Sequence, residues 1–339
     1  MFSGLAQDKV SDLNGTFLLQ NYAPKEYNGN AQIFDIVQDS RGIMYFANQK
    51  GVFEYDGTKW NRIPLGIEDL RCLSLARGED GLIYVGANGD FGVLKPDALG
   101  KLQFVSELEY LGIESIGRVS QILVNGNSKY LKSTKRLFIL KENGLEAITS
   151  KTEFDKIFFL RNKLYVVQDG LGLFLLKGNE LEPVEEGYLF SNKEVIGASS
   201  FGDRNYMFTA EDGVYEMSNT GRLVKRNVFE ELSLLSVIKI NDDLISLGTN
   251  SNGIVVVDKK FNTVHSIGLE KGLIDAAIKE QYIDREKNLW LGTNVGISKI
   301  EISSPVLKFD VTSGLRSTVQ AVARHKNRIY VAALDGVYS

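Results

Sequence analysis

A glycine returns along this chain at intervals close to forty residues. It stands at Gly51, Gly92, Gly172, Gly213, Gly253, Gly296 and Gly336, with Arg136 in the one slot that lacks it. The successive intervals are 41, 44, 36, 41, 40, 43 and 40 residues. Each occurrence introduces a short apolar run, as in GIVVVD from Gly253 to Asp258. A unit of this size cannot bury its apolar surface alone, so its copies must stack on one another. Length by itself points to about two domains. The repeat points instead to one ring of stacked units, with the start of another as the alternative for the last copy.

Each unit reads as four strands. In the first, AQIFDIVQD, GIMYFAN, GVFEYD and KWNRIPL follow one another. The runs are rich in Val, Ile, Tyr and Phe and are bounded by Gly, Asn and Asp, which is a strand pattern. DSRG, GEDG and NDD supply the turn residues hairpins require. No stretch keeps an apolar period of 3.6 over a dozen residues; Val228 to Val237 comes nearest and reads as loop and strand. The fold class is therefore all-β, a β-propeller of four-stranded blades. Blades are covered on both faces, so middle strands such as Leu289-Trp290-Leu291 are apolar throughout. Trp290, Tyr45, Tyr84, Tyr165 and Ile245 are expected in the interior. The small residue after each such strand (Ala47, Gly86, Gly248, Gly292) suits crowded backbones, and the ruler glycines suit positive φ in the next turn.

Composition narrows the function. Hydrophobic residues make up 43%, charged residues 24%, and the net charge is −4. That balance argues against non-specific nucleic-acid binding, which needs a basic face. No apolar run approaches the ~20 residues of a membrane helix. Cys72 is the sole cysteine, which excludes an intrachain disulfide and leaves the compartment open. The opening MFSGLAQD is too short for a signal peptide, although SGLAQ suits the tail of one.

Catalytic sets are hard to assemble. His265 and His325 are the only histidines and fall in different units, so a Ser-His-Asp triad lacks its centre. No Cys or His cluster has zinc spacing. GANGDFG, Gly86 to Gly92, sits between two strands and reads as a hairpin rather than a phosphate loop. No catalytic residue, metal or cofactor is expected. What remains is one face of the ring, where loops between second and third strands open beside the connections between blades. It gathers Asn48, Gln49, Lys50, Asn88, Asp90, Phe91, Asp169, Glu211, Asp212, Asn250, Ser251, Asn252, Asn294 and Asp335. These are common turn residues one by one; their convergence on a rim is what suits an oligosaccharide, a peptide or a protein partner.

GIMYFANQKGVFEYDGTKW and NLWLGTNVGISKIE resemble the two-component regulator propeller repeats. The start, LLQNYAPKEYNGNAQIFDIVQDSRGIMYFANQKGVFEYDGTKWNRI, is similar to the first blade of bacterial receptors that carry a triple-tyrosine domain. GISKIEISSPVLKFDVTSGLRSTVQAVARHKNRIYVAALDGVY is similar to the passage from a first propeller into a second. The resemblance covers nearly the whole chain and is weakest from Gly117 to Phe190. It implies a periplasmic, ligand-sensing module of a receptor, without catalysis of its own, followed by a further propeller, a triple-tyrosine domain and an output module. Homodimerisation is compatible with it, and this region would not contact the membrane. The motif specifies scaffold and carries no ligand residues over. Competing functions are a propeller hydrolase with a channel-bound metal and a pure interaction scaffold.

Ring closure has two solutions. GTFLLQNYAPKEY reads as a fourth strand without its own first three. It can complete the seventh unit, giving a seven-bladed propeller over residues 16–303 with 304–339 starting a second one. It can instead complete the last unit, giving eight blades in a single ring. The resemblance favours seven.

Overall fold

The computed structural model describes residues 15–66, 70–142, 144–218, 221–326 and 328–339. The stretch read as the tail of a signal peptide lies outside them. Among the described residues, seven sheets have four antiparallel strands each, accompanied by one sheet of three strands and one of two. The seven begin with Ile33–Gln38, Cys72–Arg77, Gln121–Asn125, Phe154–Leu160, Val195–Phe201, Leu234–Lys239 and Ile278–Ile283. Six of them are built from four consecutive strands. The seventh takes Ile278–Ile283, Leu289–Thr293 and Ile297–Ile300 from one region and its outer strand, Leu19–Tyr22, from the start of the chain. The three-stranded sheet is Val319–His325, Arg328–Ala333 and Gly336–Tyr338.

Bonds from first strands and from the loops beside them tie each sheet to the next. Asp35 Oδ2 accepts from Leu75 N at 2.8 Å, and Ser74 Oγ donates to Val119 O at 3.0 Å. The Gln121 amide bonds both the N–H and the carbonyl of Ile157, at 3.0 and 2.8 Å. Gly170 N donates to Ser191 O at 2.9 Å, and Leu234 N to Ala210 O at 2.8 Å. Ser236 Oγ donates to Ile278 O at 2.8 Å, and Gln38 Oε1 accepts from Arg285 N at 2.8 Å. The last bond joins the seventh sheet to the first, so the succession of sheets closes on itself. The architecture is a β-propeller.

The small residues fall within the second strand, near its end, as Gly86 in Ile83–Ala87 and Gly248 in Leu244–Thr249, and sit where neighbouring sheets meet most closely. A Cβ at Gly248 would lie 2.2 Å from Ser236 Oγ and 2.7 Å from Ile278 O. One at Gly86 would lie 2.8 Å from Val119 O. Glycine is needed there because the next sheet's backbone occupies the space. Positive φ holds for most of the ruler: Gly213 and Gly253 have φ of 77° and 71°. Gly92 departs from the expectation. It lies inside the strand Phe91–Pro96 against Phe104 and Val105, and the turn glycine of that sheet is Gly89, at φ 99°.

Trp290, Tyr45, Tyr84, Tyr165 and Ile245 are all buried. Each packs in a cluster that spans two neighbouring sheets or lies against the next one; Trp290, for example, joins Tyr22, Phe46 and Tyr55. Three of these aromatics share a clip that the turn composition half announced. Asp39, Asp80 and Asp284, in the first hairpin of their sheets, accept from Tyr45 OH, Tyr84 OH and Trp290 Nε1 at 3.2, 2.6 and 2.8 Å.

Two details depart from the sequence reading. Pro24–Tyr27 forms one helical turn, with Pro24 at its first position and Glu26 accepting from Ala23 N at 2.8 Å. The segment read as a single outer strand is split. Leu19–Tyr22 joins the seventh sheet, while Thr16–Phe17 pairs with Leu307–Lys308, across the boundary expected at 303.

Candidate functional site

Loops between second and third strands bond to the connections between sheets, so both open on one face. Asn88 N donates to Arg71 O at 3.2 Å, Asp169 N to Glu153 O at 2.9 Å, and Asn250 N to Ser233 O at 2.8 Å. Asn294 N reaches Asp275 Oδ2 at 3.1 Å.

The side chains expected on this face divide into two groups. Asn48 is fully buried; it donates to Asn30 O and Gln32 O at 2.7 and 2.9 Å and accepts from Asn30 N and Lys50 N, each at 3.1 Å. Phe91 is also fully buried, stacked on Tyr84 with centroids 6.0 Å apart. Gln49 accepts from Asn30 Nδ2 at 2.6 Å, and Asp90 from Phe91 N and Ser106 Oγ at 2.7 and 2.6 Å. These four shape the loops. Lys50, Asn88, Asp169, Glu211, Asn250, Ser251, Asn252 and Asn294 are exposed. Ser251 is bonded to Asn252 at 2.7 Å. Asp335 is exposed on the three-stranded sheet, where it accepts from Tyr338 OH at 2.7 Å.

Sequence reasoning missed the residue that holds several of these loops. Thr209, Thr249 and Thr293 end their second strands and donate to Gly213 O, Gly253 O and Gly296 O at 2.8, 2.9 and 2.9 Å. The GTN motif at Gly248 and Gly292 was the visible signal. In the third sheet Ser133 holds that slot, its N–H donating to Arg136 O at 2.8 Å, and Lys132 stands where Gly248 and Gly292 do; Lys132 is 8% exposed and donates to Phe154 O at 2.8 Å. Burial, then the neighbouring Lys156, pull its pKa down to about 8.

A cavity of about 480 Å³ opens on this face beside the fourth and fifth sheets. Asp155, Lys156, Asp169, Ser191, Asn192, Lys193 and Glu194 line it, over Val195, Ile196 and Leu235. The first strands build it through a bulge. Six of the seven slip by one residue at the same step, for instance between Phe154 and Lys156 and between Leu234 and Ser236. A bulge re-aims side chains, and here it brings the extra residues Asp155, Ile196 and Leu235 into one cavity. Of the residues singled out in the sequence, only Asp169 lines it. Asp212 stands one ion pair away, 2.7 Å from Lys193, and also holds Lys225 at 2.9 Å. Burial works to raise the Asp212 carboxyl, but bonds to Lys193, Tyr215 and Lys225 hold it well below the usual range. Asp155 goes the other way, raised by burial and by Asp169, Glu153 and Glu194, against the pull of Lys132.

Two other first strands, in the adjacent first and seventh sheets, carry Asp35 and Glu280. Burial pushes both carboxyls well above the usual range. Asp35 adds to the rise at Glu280, while Lys156 opposes the shift at both. Neither histidine joins this face: His265 packs edge-on against Phe17 with centroids 4.9 Å apart, and His325 ends the strand Val319–His325. Among the described residues no group of three or more His, Cys, Asp or Glu is disposed to hold a metal. No helix of the described residues is long and apolar enough to cross a membrane.

The geometry defines a propeller with a charged cavity on its loop face, and solved structures share the architecture. The extracellular domain of the candidate hybrid two-component system BT3049 from B. thetaiotaomicron superposes with a TM-score of 0.71 at 17% identity, over 94% of this chain and 47% of that one. The extracellular domain of the candidate hybrid two-component system BT4673 from B. thetaiotaomicron gives 0.68 at 18%, over 96% and 45%. A streptogramin B lyase gives 0.64 at 12%, over 84% and 98%. At these identities the likeness is one of fold. The chain spans just under half the length of the two-component domains. No family model and no curated protein sequence matches it.

Proposed function

We propose that the chain is a ligand- or partner-sensing propeller module of a periplasmic, two-component-type receptor and carries no catalysis itself. Residues 16–303 form its seven-bladed ring, and 304–339 begin a second propeller. The observation that carries this reading is the likeness of almost the whole chain to about half of each two-component extracellular domain. The repeat resemblance points the same way. The loop face is the input side. Its exposed members, Lys50, Asn88, Asp169, Glu211, Asn250, Asn252 and Asn294, are the surface offered to a ligand; Asn48, Gln49, Asp90 and Phe91 act by fixing loop shape. A peptide or oligosaccharide is the ligand class that such a polar rim suits. Partners are a second propeller, a triple-tyrosine domain and a second copy of the receptor.

Every blade is packed on both sides, so large internal motion is unfavourable. Signal is transmitted by re-docking whole propellers, and a ligand drives this only by binding the two arrangements with different affinity.

The test is the reading frame beyond Ser339. The proposal predicts more propeller, a membrane helix and a signalling output module. A frame that stops there, or continues into a hydrolase domain, contradicts it. A companion assay offers calcium with a chromogenic lactone and phosphoester panel; turnover would overturn the non-catalytic reading.

A further inference from the structure

We propose that the 480 Å³ loop-face cavity receives a basic side chain, Lys or Arg, projecting from a peptide partner. This deepens the sensor reading and rests on it, since it names the chemistry that the input face recognises.

Two independent features lead there. The first is charge without a partner. Asp155, Asp169 and Glu194 line the cavity, and among the described residues none of their carboxylates makes a hydrogen bond or ion pair. Of the nearby cations, Lys156 also lines the cavity, but its charge acts on Asp35, Glu280 and Lys132 and is not among those that act on Asp155. Lys193 pairs with Asp212 at 2.7 Å, and the buried Lys132 gives its bond to Phe154 O at 2.8 Å. The resulting strain registers at Asp155, whose carboxyl is raised by burial and by its acidic neighbours. A guanidinium or ammonium entering between these oxygens relieves that repulsion and forms charge-assisted bonds.

The second feature is apolar. Val195, Ile196 and Leu235 form part of the lining. Outside the cavity, Leu171 and Tyr188 are 48% and 69% exposed. Both belong to lining segments: Leu171 follows Asp169 by two residues, and Tyr188 O accepts from Ser191 N at 3.0 Å. A bare cation has no use for the apolar part of this combination. A Lys or Arg side chain does, because its methylene stem packs on apolar surface while its head meets carboxylates. The flanking residues of a peptide then cover Leu171 and Tyr188.

The full 339-residue chain is titrated calorimetrically with pools of blocked tripeptides. One pool has Lys at the centre, one Arg and one Gln, all with apolar flanks. Saturable binding is expected for Lys or Arg and not for Gln. Asp155→Asn with Asp169→Asn should weaken it about tenfold or more with the thermal midpoint no lower than that of the wild type. Glu79→Gln with Glu142→Gln, in the separate groove between the second and third sheets, should leave it unchanged. If the first double variant does not fold, wild-type affinity must fall as sodium chloride is raised. The proposal is overturned by absence of binding to both basic pools, by equal binding of the Gln pool, by affinity indifferent to the variant or to salt, or by calcium chloride alone saturating the site. Such a failure leaves the receptor reading intact, because that reading stands or falls on the sequence beyond Ser339.

Discussion

Trp290 lies against Tyr22, Phe46 and Tyr55, and its Nε1 donates to Asp284 Oδ2 at 2.8 Å. Trp290→Ala removes that volume between two sheets and leaves Asp284 short of a donor, so it should cost about 3–5 kcal/mol in chemical unfolding. An unchanged unfolding midpoint would contradict the packing described. Gly248→Ala tests the opposite fault. Its Cβ would lie 2.2 Å from a Ser236 hydroxyl already committed to Ile278 O; overpacking of this kind costs about 1–3 kcal/mol. A Gly248→Ala protein as stable as wild type would show that the sheets are not held that close. Glu280 adds a pH signature. Its folded-state pKa is raised, chiefly by burial and Asp35, so the protonated form favours the fold. Stability is then fully present in acid and declines as pH rises from the ordinary carboxylate range through the raised value. Glu280→Gln should flatten that decline and make the protein more stable than wild type at alkaline pH. Parallel stability–pH curves for the two proteins would contradict this.

At the scale of elements, the sequence was most legible where backbone geometry demands a residue type. Glycines at Gly213, Gly253 and Gly248, turn carboxylates at Asp39 and Asp284, and apolar runs such as Leu289–Leu291 all announce strands and their junctions. The candidate face was legible as a set of loops and much less so as a site. Asn48 and Phe91 look exposed in sequence because they flank turns, yet both are buried, one bonding backbone and the other filling the gap beside Tyr84. Asp155, Lys193 and Glu194 were passed over for a different reason. Asp155 reaches the cavity through a bulge between Phe154 and Lys156, a one-residue slip with no sequence mark. Lys193 and Glu194 sit in a connection whose neighbours come from the fourth and sixth sheets, and such proximity cannot be read along a chain.

The whole molecule is a ring in which each sheet is held by its two neighbours and one sheet is assembled from both ends of the repeat array. Leu19–Tyr22 pairs with Ile297–Ile300, and Tyr22 stacks on Trp290 with centroids 5.9 Å apart while meeting Tyr55 and Trp60 edge-on. An open ring would expose this aromatic cluster and two unpaired strand edges. The three-stranded sheet stands differently: Val322, Ile329 and Leu334 are exposed, and among the described residues none of its strands pairs with a strand of the ring. The central claim is therefore a self-contained ring sealed by its own N-terminal strand. Its most direct test compares cooperative thermal unfolding of two truncations with the intact chain. Removing residues 304–339 should leave one sharp transition close to the original midpoint. Removing residues 1–22 should abolish cooperativity or lower the midpoint severely. The reverse pattern, with the C-terminal sheet indispensable and the N-terminal strand expendable, would contradict the account.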